Sequence, residues 1–529
     1  MRTGNPYHPS VTMRIRFVEP RPSGRNVYDL TQLPRLGLPL LATILAEAGH
    51  DTAVWCDVLS PVDLDDCISA DLVGISSTTA TAPAAYALAD LLERAGTPVV
   101  LGGPHVTFMV DEALAHAPYV VRGEGQATIV ELVAALEGRR LLDDIAGLSY
   151  RSETGHHEHN PQRGRCSQAE FEELPIPDLT RLNGYENMGV KPIMTQWGCP
   201  FDCEFCSVTA MFSRSVRYRR PEQVIDELAG LDAAQLFFYD DNFVVNKART
   251  ASLMSAMIAE GLTPNWFAQV RADAALRSKS RPEIDEQFLD LMTDAGCRMV
   301  MIGIETITDD GLAEIGKRLE VSTIEKAVDG FHRHGIAVHG MFVAGLDHDS
   351  AASADTTAAF AHRLGIDTFQ LMIETPLPGT KLWDRITPEG RLLSDDWSLF
   401  DGHHVVMRPA RMTPLELQLS VLHAMSRFYS WPAILRSGLA GLLHRLPDID
   451  RTTSAGSDRL LPALATAARA RRWEDISPLL RLAVPAAARR HVTNSMWIPA
   501  LRVYARRQLA SWYEQQRSID HLGYLASIG

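Results

Sequence analysis

From Met13 to about residue 140 the chain alternates short apolar, β-branched runs with stretches whose apolar residues recur every three or four positions. MRIRFVE, DTAVWCD, DLVGIS, TPVVLGG and YVVRGEG read as strands, with LPLLATILAEAGH and PAAYALADLLERAG as helices between them. Apolar strands separated by amphipathic helices are the pattern of a parallel sheet covered on both faces, because each crossover lays a helix over the sheet. The pattern predicts a doubly wound, Rossmann-like α/β domain over residues 13–140, after a flexible N-terminus over 1–12. Residues 141–190 lose the alternation; GHHEHNPQRGR and LPIPD are polar and turn-rich and predict a linker, with His156, His157 and His159 on a solvated loop.

A second alternating series starts at Lys191: KPIMTQW, QLFFYD, NWFAQV, RMVMIGI, AVHGMFV and DTFQLMI predict buried strands, spaced by helical stretches such as PEQVIDELAGL, TIEKAVDGFHRHG and SAASADTTAAFAHRLG. Gly296, Gly335 and Gly365 stand where helices should stop. Six parallel strands with crossover helices predict a partial (β/α)6 TIM-type barrel over 191–400, with its functional face at the carboxyl ends of the strands. Residues 401–529 turn to Ala-, Leu- and Arg-rich helical sequence, including LHRLPDIDRTT, RRWEDISPLLRLAVPAAARR and WIPALRVYARRQLASWYEQQ, and predict a C-terminal helical region.

Bulk properties narrow the function. A chain of 529 residues exceeds one hydrophobic core, and a net charge of −14 excludes a general phosphate-backbone binder, so nucleic acid is not an expected partner. No run reaches the roughly 20 apolar residues of a spanning helix, and Met1–Thr12 lacks the basic-then-apolar order of a signal peptide. A cytoplasmic protein acting on a small-molecule substrate is the expectation. Of seven cysteines, Cys56, Cys67, Cys166 and Cys297 are dispersed, whereas Cys199, Cys203 and Cys206 crowd into GCPFDCEFCSV, directly after the first strand of the second series. Three thiolates on one loop can hold three corners of a [4Fe–4S] cluster and leave one iron open. Structural zinc takes four ligands, and no fourth lies at a compatible spacing.

The CxxxCxxC spacing, with Phe205 before the last cysteine and the loop after the first barrel strand, resembles the radical S-adenosylmethionine (SAM) superfamily. The resemblance implies a [4Fe–4S] cluster on Cys199, Cys203 and Cys206, whose open iron binds SAM and cleaves it to a 5′-deoxyadenosyl radical. It implies SAM contacts at Phe205 against the adenine, at Asp240 or Asp241 in FFYDDNF, at Gln269 and Arg271 in QVRAD, and at Glu305 ending GIE. TPLPGT at Thr375–Thr380 is similar to a turn of a large branch of the superfamily.

In the first domain, PRLGLPLLATILAEAGH, DLVGIS, VVLGGPH and VVRGEG resemble the cobalamin-binding domain that precedes the barrel in cobalamin-dependent radical SAM enzymes. The first strand lacks GxGxxG, which disfavours a dinucleotide. The resemblance implies cobalamin contacts at Leu38, Ser76, Ser77, Thr78, Thr79, Gly102, Gly103, His105, Gly123, Glu124 and Gly125. DxHxxG is absent, so cobalamin would carry no protein histidine on cobalt. The family further implies a methyltransferase acting on an unactivated carbon through methylcobalamin and the adenosyl radical, fed by an external flavodoxin- or ferredoxin-like electron donor. Three alternatives stand beside it: a cyclase, oxidoreductase or rearrangement enzyme without methyl transfer, a polar methylation of an sp2 carbon, and a cobalamin or redox sensor.

Overall fold

The computed structural model describes residues 12–22, 33–278, 281–435, 498–507, 509–510 and 521–528. Residues 1–11 of the expected flexible N-terminus and two of the three predicted tail helices, LHRLPDIDRTT and RRWEDISPLLRLAVPAAARR, lie outside the described residues.

The first sheet contains β1 (Arg14–Glu19), β2 (Asp51–Cys56), β3 (Leu72–Ser76), β4 (Val99–Gly102), β5 (Tyr119–Val121), β6 (Leu148–Arg151) and β7 (His157–His159), in the order β2-β1-β3-β4-β5-β6-β7. β1 to β5 pair in parallel, and the order reverses between β1 and β3, the place where open α/β sheets bind ligands at their carboxyl edge. Alternation explains the layering: Ile15, Phe17 and Leu72 point into one apolar core, and Val18, Val73 and Ile75 into the other. Helices Gly37–Glu47 and Gln126–Leu136 supply the first core, and helix Ala82–Arg94 the second.

The sheet does not end near residue 140. β6 and β7 extend it antiparallel, so the first part of the expected linker is an edge hairpin. His157 and His159 lie on exposed β7 and both approach the Asp111 carboxylate, at 2.9 and 3.3 Å. An edge strand exposed on both faces needs no apolar alternation, which is why its sequence reads as a loop.

The second sheet holds β8 (Lys191–Ile193), β11 (Gln235–Phe238), β12 (Asn265–Val270), β15 (Cys297–Glu305), β16 (Ala337–Ala344) and β17 (Thr368–Ile373), all parallel and adjacent in chain order, as in a partial barrel. Two small hairpins decorate it: β9 (Gln196–Trp197) with β10 (Arg217–Tyr218), and β13 (Leu276–Ser278) with β14 (Arg281–Ile284). Trp266, Ala268 and Val270 of β12, like Phe369, Leu371 and Ile373 of β17, face the core shared with the outer helices. In helix Val321–Arg333 the buried Ile324, Ala327, Val328 and Phe331 form one apolar stripe against that core.

The boundary expected at residue 400 falls inside this architecture. Gly402 accepts a hydrogen bond from the Ile373 amide (2.7 Å), and helix Pro414–Phe428 packs into the barrel core through Leu417, Val421, Ala424, Met425 and Phe428. Tyr429 then clamps Phe369, donating its hydroxyl to the carbonyl and accepting from the amide, both at 2.8 Å.

Candidate cofactor site

The cysteine loop leaves β9 at Gly198, whose φ of +88° is left-handed and whose missing Cβ is required, since a methyl group there would collide with the Ser215 carbonyl oxygen. Asp241 accepts the Gly198 amide at 3.0 Å. Asp240 is 1% exposed and fully engaged, taking the Thr195 amide (2.7 Å), the Thr195 hydroxyl (2.6 Å) and the Gln196 amide (3.2 Å). Burial lifts both acids to about 6 against these hydrogen bonds. Of the two aspartates expected near SAM, Asp240 therefore fixes the strand end beneath the loop, and only Asp241 borders the loop itself.

Below the loop, Arg271 lies 3.7 Å from the ring centre of Phe201, pairs with Asp273 (3.1 and 3.2 Å) and donates to the Lys317 carbonyl (3.2 Å). Nε and Nη2 of its guanidinium are engaged in this support. Glu305 sits at the carboxyl end of β15 in a left-handed backbone (φ +66°), after a register shift in the ladder, with Lys317 at 2.5 Å. Non-glycine residues in such a conformation concentrate at functional sites. Gln269 falls on the opposite face of β12 from Trp266 and Val270, half-buried on the inner side. Phe205 packs against Leu382, Ile386 and Met407, the first two on helix Lys381–Ile386, which follows the TPLPGT turn. That helix is tied to the loop by Leu382 N–H to the Glu204 carbonyl (3.2 Å), Lys381 to Asp202 (2.6 Å) and Arg385 to Glu204 (2.7 Å).

Cys199, Cys203 and Cys206 are free thiols. Burial raises all three, Cys206 to about 12, while Lys317 and Arg271 favour the thiolate of Cys203 and Arg271 that of Cys199. Iron must therefore displace protons on binding. Among the described residues no three Cys, His, Asp or Glu side chains are gathered closely enough to hold a single metal ion. Three thiols with no fourth ligand among the described residues match a cluster with one open iron rather than tetrahedral zinc.

At the carboxyl edge of the first sheet, Ser77 is fully buried; its amide donates to the Gly102 carbonyl (3.0 Å), and its hydroxyl has no partner among the described residues. A Cβ placed on Gly102 would meet nothing within 4 Å. A buried hydroxyl without a partner, and a neighbouring glycine with nothing standing over it, fit a ligand lying on this edge. Thr107, which the sequence did not single out, links two of the loops by donating to the Gly103 carbonyl (2.8 Å) and accepting from the Gly123 amide (3.0 Å). Ser76, Thr78, Gly103 and Gly125 stand on the same loops, and Thr79 is buried where residues 397–399 cover that turn.

Three of the expected cobalamin contacts have protein neighbours in this structure. Leu38 is a core residue of the first turn of helix Gly37–Glu47. His105 is 1% exposed; its Nε2 lies 3.4 Å from Glu112, and its ring stands edge-on to Trp397 at 4.9 Å, while Trp397 donates to Glu112 at 2.8 Å. Glu124 turns to the second domain, accepting the Cys166 amide (2.8 Å) and meeting Arg217 of β10 at 2.6 Å, an ion contact not aligned as a hydrogen bond. Arg217, wedged between the rings of Phe171, Trp197 and Phe212, is thus a bolt between the RGEG loop and the hairpin that leads into Gly198.

The B12 binding domain family matches residues 29–133 and the radical SAM superfamily residues 193–361. An uncharacterised methyltransferase of Pyrococcus horikoshii is 32% identical over 421 residues, covering 76% of this chain and 89% of that protein. The chain belongs to the cobalamin-dependent radical SAM family. As a cobalamin-dependent radical SAM enzyme it uses a [4Fe–4S] cluster, SAM and cobalamin. An anaerobic magnesium-protoporphyrin IX monomethyl ester cyclase of Synechocystis is 28% identical over 452 residues, with 79% of this chain and 83% of that protein covered. Among solved structures, the radical SAM methyltransferase TsrM of Kitasatospora setae shares the fold, with a TM-score of 0.58 at 19% identity over 71% of this chain and 76% of that one. No described helix of this cobalamin-dependent radical SAM enzyme is long and apolar enough to cross a membrane.

Proposed function

We propose that this enzyme methylates an unactivated carbon of a small-molecule substrate of natural-product or lipid-like character. When bound, cobalamin supplies the methyl group, and SAM on the reduced cluster supplies the radical that removes a substrate hydrogen. Cys199, Cys203 and Cys206 hold the cluster. Asp241, Gln269 and Glu305, with Phe205 on the loop, border SAM at the carboxyl rim. Ser76, Ser77, Thr78, Gly102, Gly103, Gly123 and Gly125 take cobalamin on the edge of the first sheet. Reducing equivalents come from a flavodoxin- or ferredoxin-like donor.

The observation that carries this reading is the buried Glu124–Arg217 contact at 2.6 Å, which fastens a cobalamin-edge loop to the hairpin feeding the cysteine loop. Methyl delivery from cobalt to a carbon opened at the cluster requires those two edges to share one space. The 32% identical methyltransferase of Pyrococcus horikoshii supports methyl transfer as the outcome. The Synechocystis cyclase favours a second reading, radical chemistry without methyl transfer. Quantifying both SAM products of the anaerobically reconstituted enzyme during turnover separates them: S-adenosylhomocysteine and 5′-deoxyadenosine in equal amounts are expected. 5′-Deoxyadenosine alone would support the cyclase reading, and S-adenosylhomocysteine alone a polar methylation.

A further inference from the structure

Helix Asp309–Glu314 stops at Gly316, whose φ of +73° is left-handed, with the Gly316 amide on the Ala313 carbonyl (3.0 Å) and the Lys317 amide on the Leu312 carbonyl (2.9 Å). Such a stop commonly buries an apolar side chain just past the glycine. Here that residue is Lys317, and it is 4% exposed. Its segment lies against the cysteine loop: a Cβ on Gly316 would stand 3.2 Å from the Asp202 carbonyl oxygen, and the Lys317 carbonyl accepts from Arg271, which stacks on Phe201. The ammonium meets Glu305 Oε1 at 2.5 Å over Gly303, where a Cβ would collide with both Nζ and that oxygen. Gly303 thus keeps room for the pair. A buried ion pair adds little stability by itself, because desolvation offsets the attraction. Three other cations beside the loop are committed to its acids or to its support: Lys381 to Asp202 (2.6 Å), Arg385 to Glu204 (2.7 Å) and Arg271 to Asp273 (3.1 Å). At the Cys203 thiol Lys317 outweighs every other charge, and Glu305 comes next.

We propose that Lys317 tunes the reduction potential of the cluster held by Cys199, Cys203 and Cys206, its buried ammonium favouring the reduced form while Glu305 holds it in place and offsets part of its field. The inference rests on the radical SAM assignment and gives that site a tuning residue. Reduction adds one negative charge to a loop that already carries Asp202 and Glu204, with Asp241 at its border. A fixed positive charge in a buried setting lowers the cost of that addition, and a fixed negative charge raises it. Lys317 and Glu305 therefore act in opposite senses on one potential. A pair that only braces the loop has no such signature: loosening it from either side lets in water and moves the potential the same way.

The test is an anaerobic redox titration of the reconstituted, cobalamin-loaded enzyme, followed by the electron paramagnetic resonance signal of the reduced cluster. SAM is left out, so that a lost SAM contact cannot register. Lys317→Met should move the midpoint to more negative potential and Glu305→Gln to more positive potential, with the double variant between the two. Iron and sulfide content reports a complete cluster in each. Shifts of the same sign in both single variants, or a midpoint that neither variant moves, would overturn the inference. Where Lys317→Met fails to take up a cluster, Glu305→Gln decides alone, since it leaves the ammonium in place: a positive shift supports the role, and an unchanged or more negative midpoint overturns it. A wild-type protein that assembles no cluster would instead overturn the cysteine site itself, and this role with it.

Discussion

Replacing Arg217 with methionine, while Glu124 remains, is expected to destabilise the protein more than any surface substitution. The two side chains are 5% and 7% exposed and 2.6 Å apart, so water cannot reach the stranded carboxylate, and only the Cys166 amide at 2.8 Å still supports it. Methionine retains an apolar stem among Phe171, Trp197 and Phe212, whose ring centres lie 5.7–5.9 Å from the guanidinium carbon, which confines the loss to the charge and to the 3.0 Å hydrogen bond from Arg217 Nη1 to the Cys166 carbonyl. Removing one member of a buried pair costs about 3–5 kcal/mol, whereas replacing both members with apolar groups is close to neutral. At roughly 2–4 °C per kcal/mol for a unit of this size, the melting midpoint should fall by roughly 6–20 °C. Glu124→Leu combined with Arg217→Met should recover most of that loss. Thermal melts of wild type, both single variants and the double variant read the cycle. A drop in Arg217→Met equivalent to less than about 1 kcal/mol, or a double variant no better than the single one, would refute the bolt.

Other parts of the site make separate predictions. Gly198→Ala must displace the Ser215 carbonyl and leave a left-handed backbone, so iron and sulfide content after reconstitution should fall severely while cobalamin binding persists. Cys203→Ala should abolish SAM cleavage with cobalamin uptake intact; cleavage equal to wild type would remove the cluster from the chemistry and favour a sensor. Glu374, buried just past β17, holds its proton to about 8 when folded against 4.5 in a free side chain, so the folded state binds the extra proton between those values and stability falls as pH rises through them. Glu374→Gln should erase that decline, visible as a gain in melting midpoint over wild type at about pH 8 that shrinks towards about pH 5.

Both sheets were legible because their strands are buried on two faces and alternate with amphipathic helices, so β1 to β5 and the six barrel strands each left a periodic trace. The cysteine loop was legible because its ligands are local. Long-range pairing was not. β7 is an exposed edge strand without apolar signal, and the last barrel helix, Pro414–Phe428, lies past the point where composition changes. His105 and Glu124 sit in the expected loops, yet Glu124 is held by Cys166 and Arg217, remote in sequence, and His105 lies against Glu112, whose bond to Trp397 spans 285 positions. Asp240 and Asp241 are adjacent and alike in sequence, and only the turn geometry assigns one to the Thr195 backbone and the other to Gly198.

The methyl-transfer assignment is tested most directly without any substrate. The reconstituted enzyme, loaded with cobalamin and strongly reduced, is mixed with SAM deuterated in its methyl group, and the products are resolved by mass spectrometry. One equivalent of S-adenosylhomocysteine per cobalamin, with the deuterated methyl recovered on cobalamin, is the predicted result. Unlabelled cobalamin, with SAM converted only to 5′-deoxyadenosine, would contradict methyl transfer and leave the cyclase-type reading in its place.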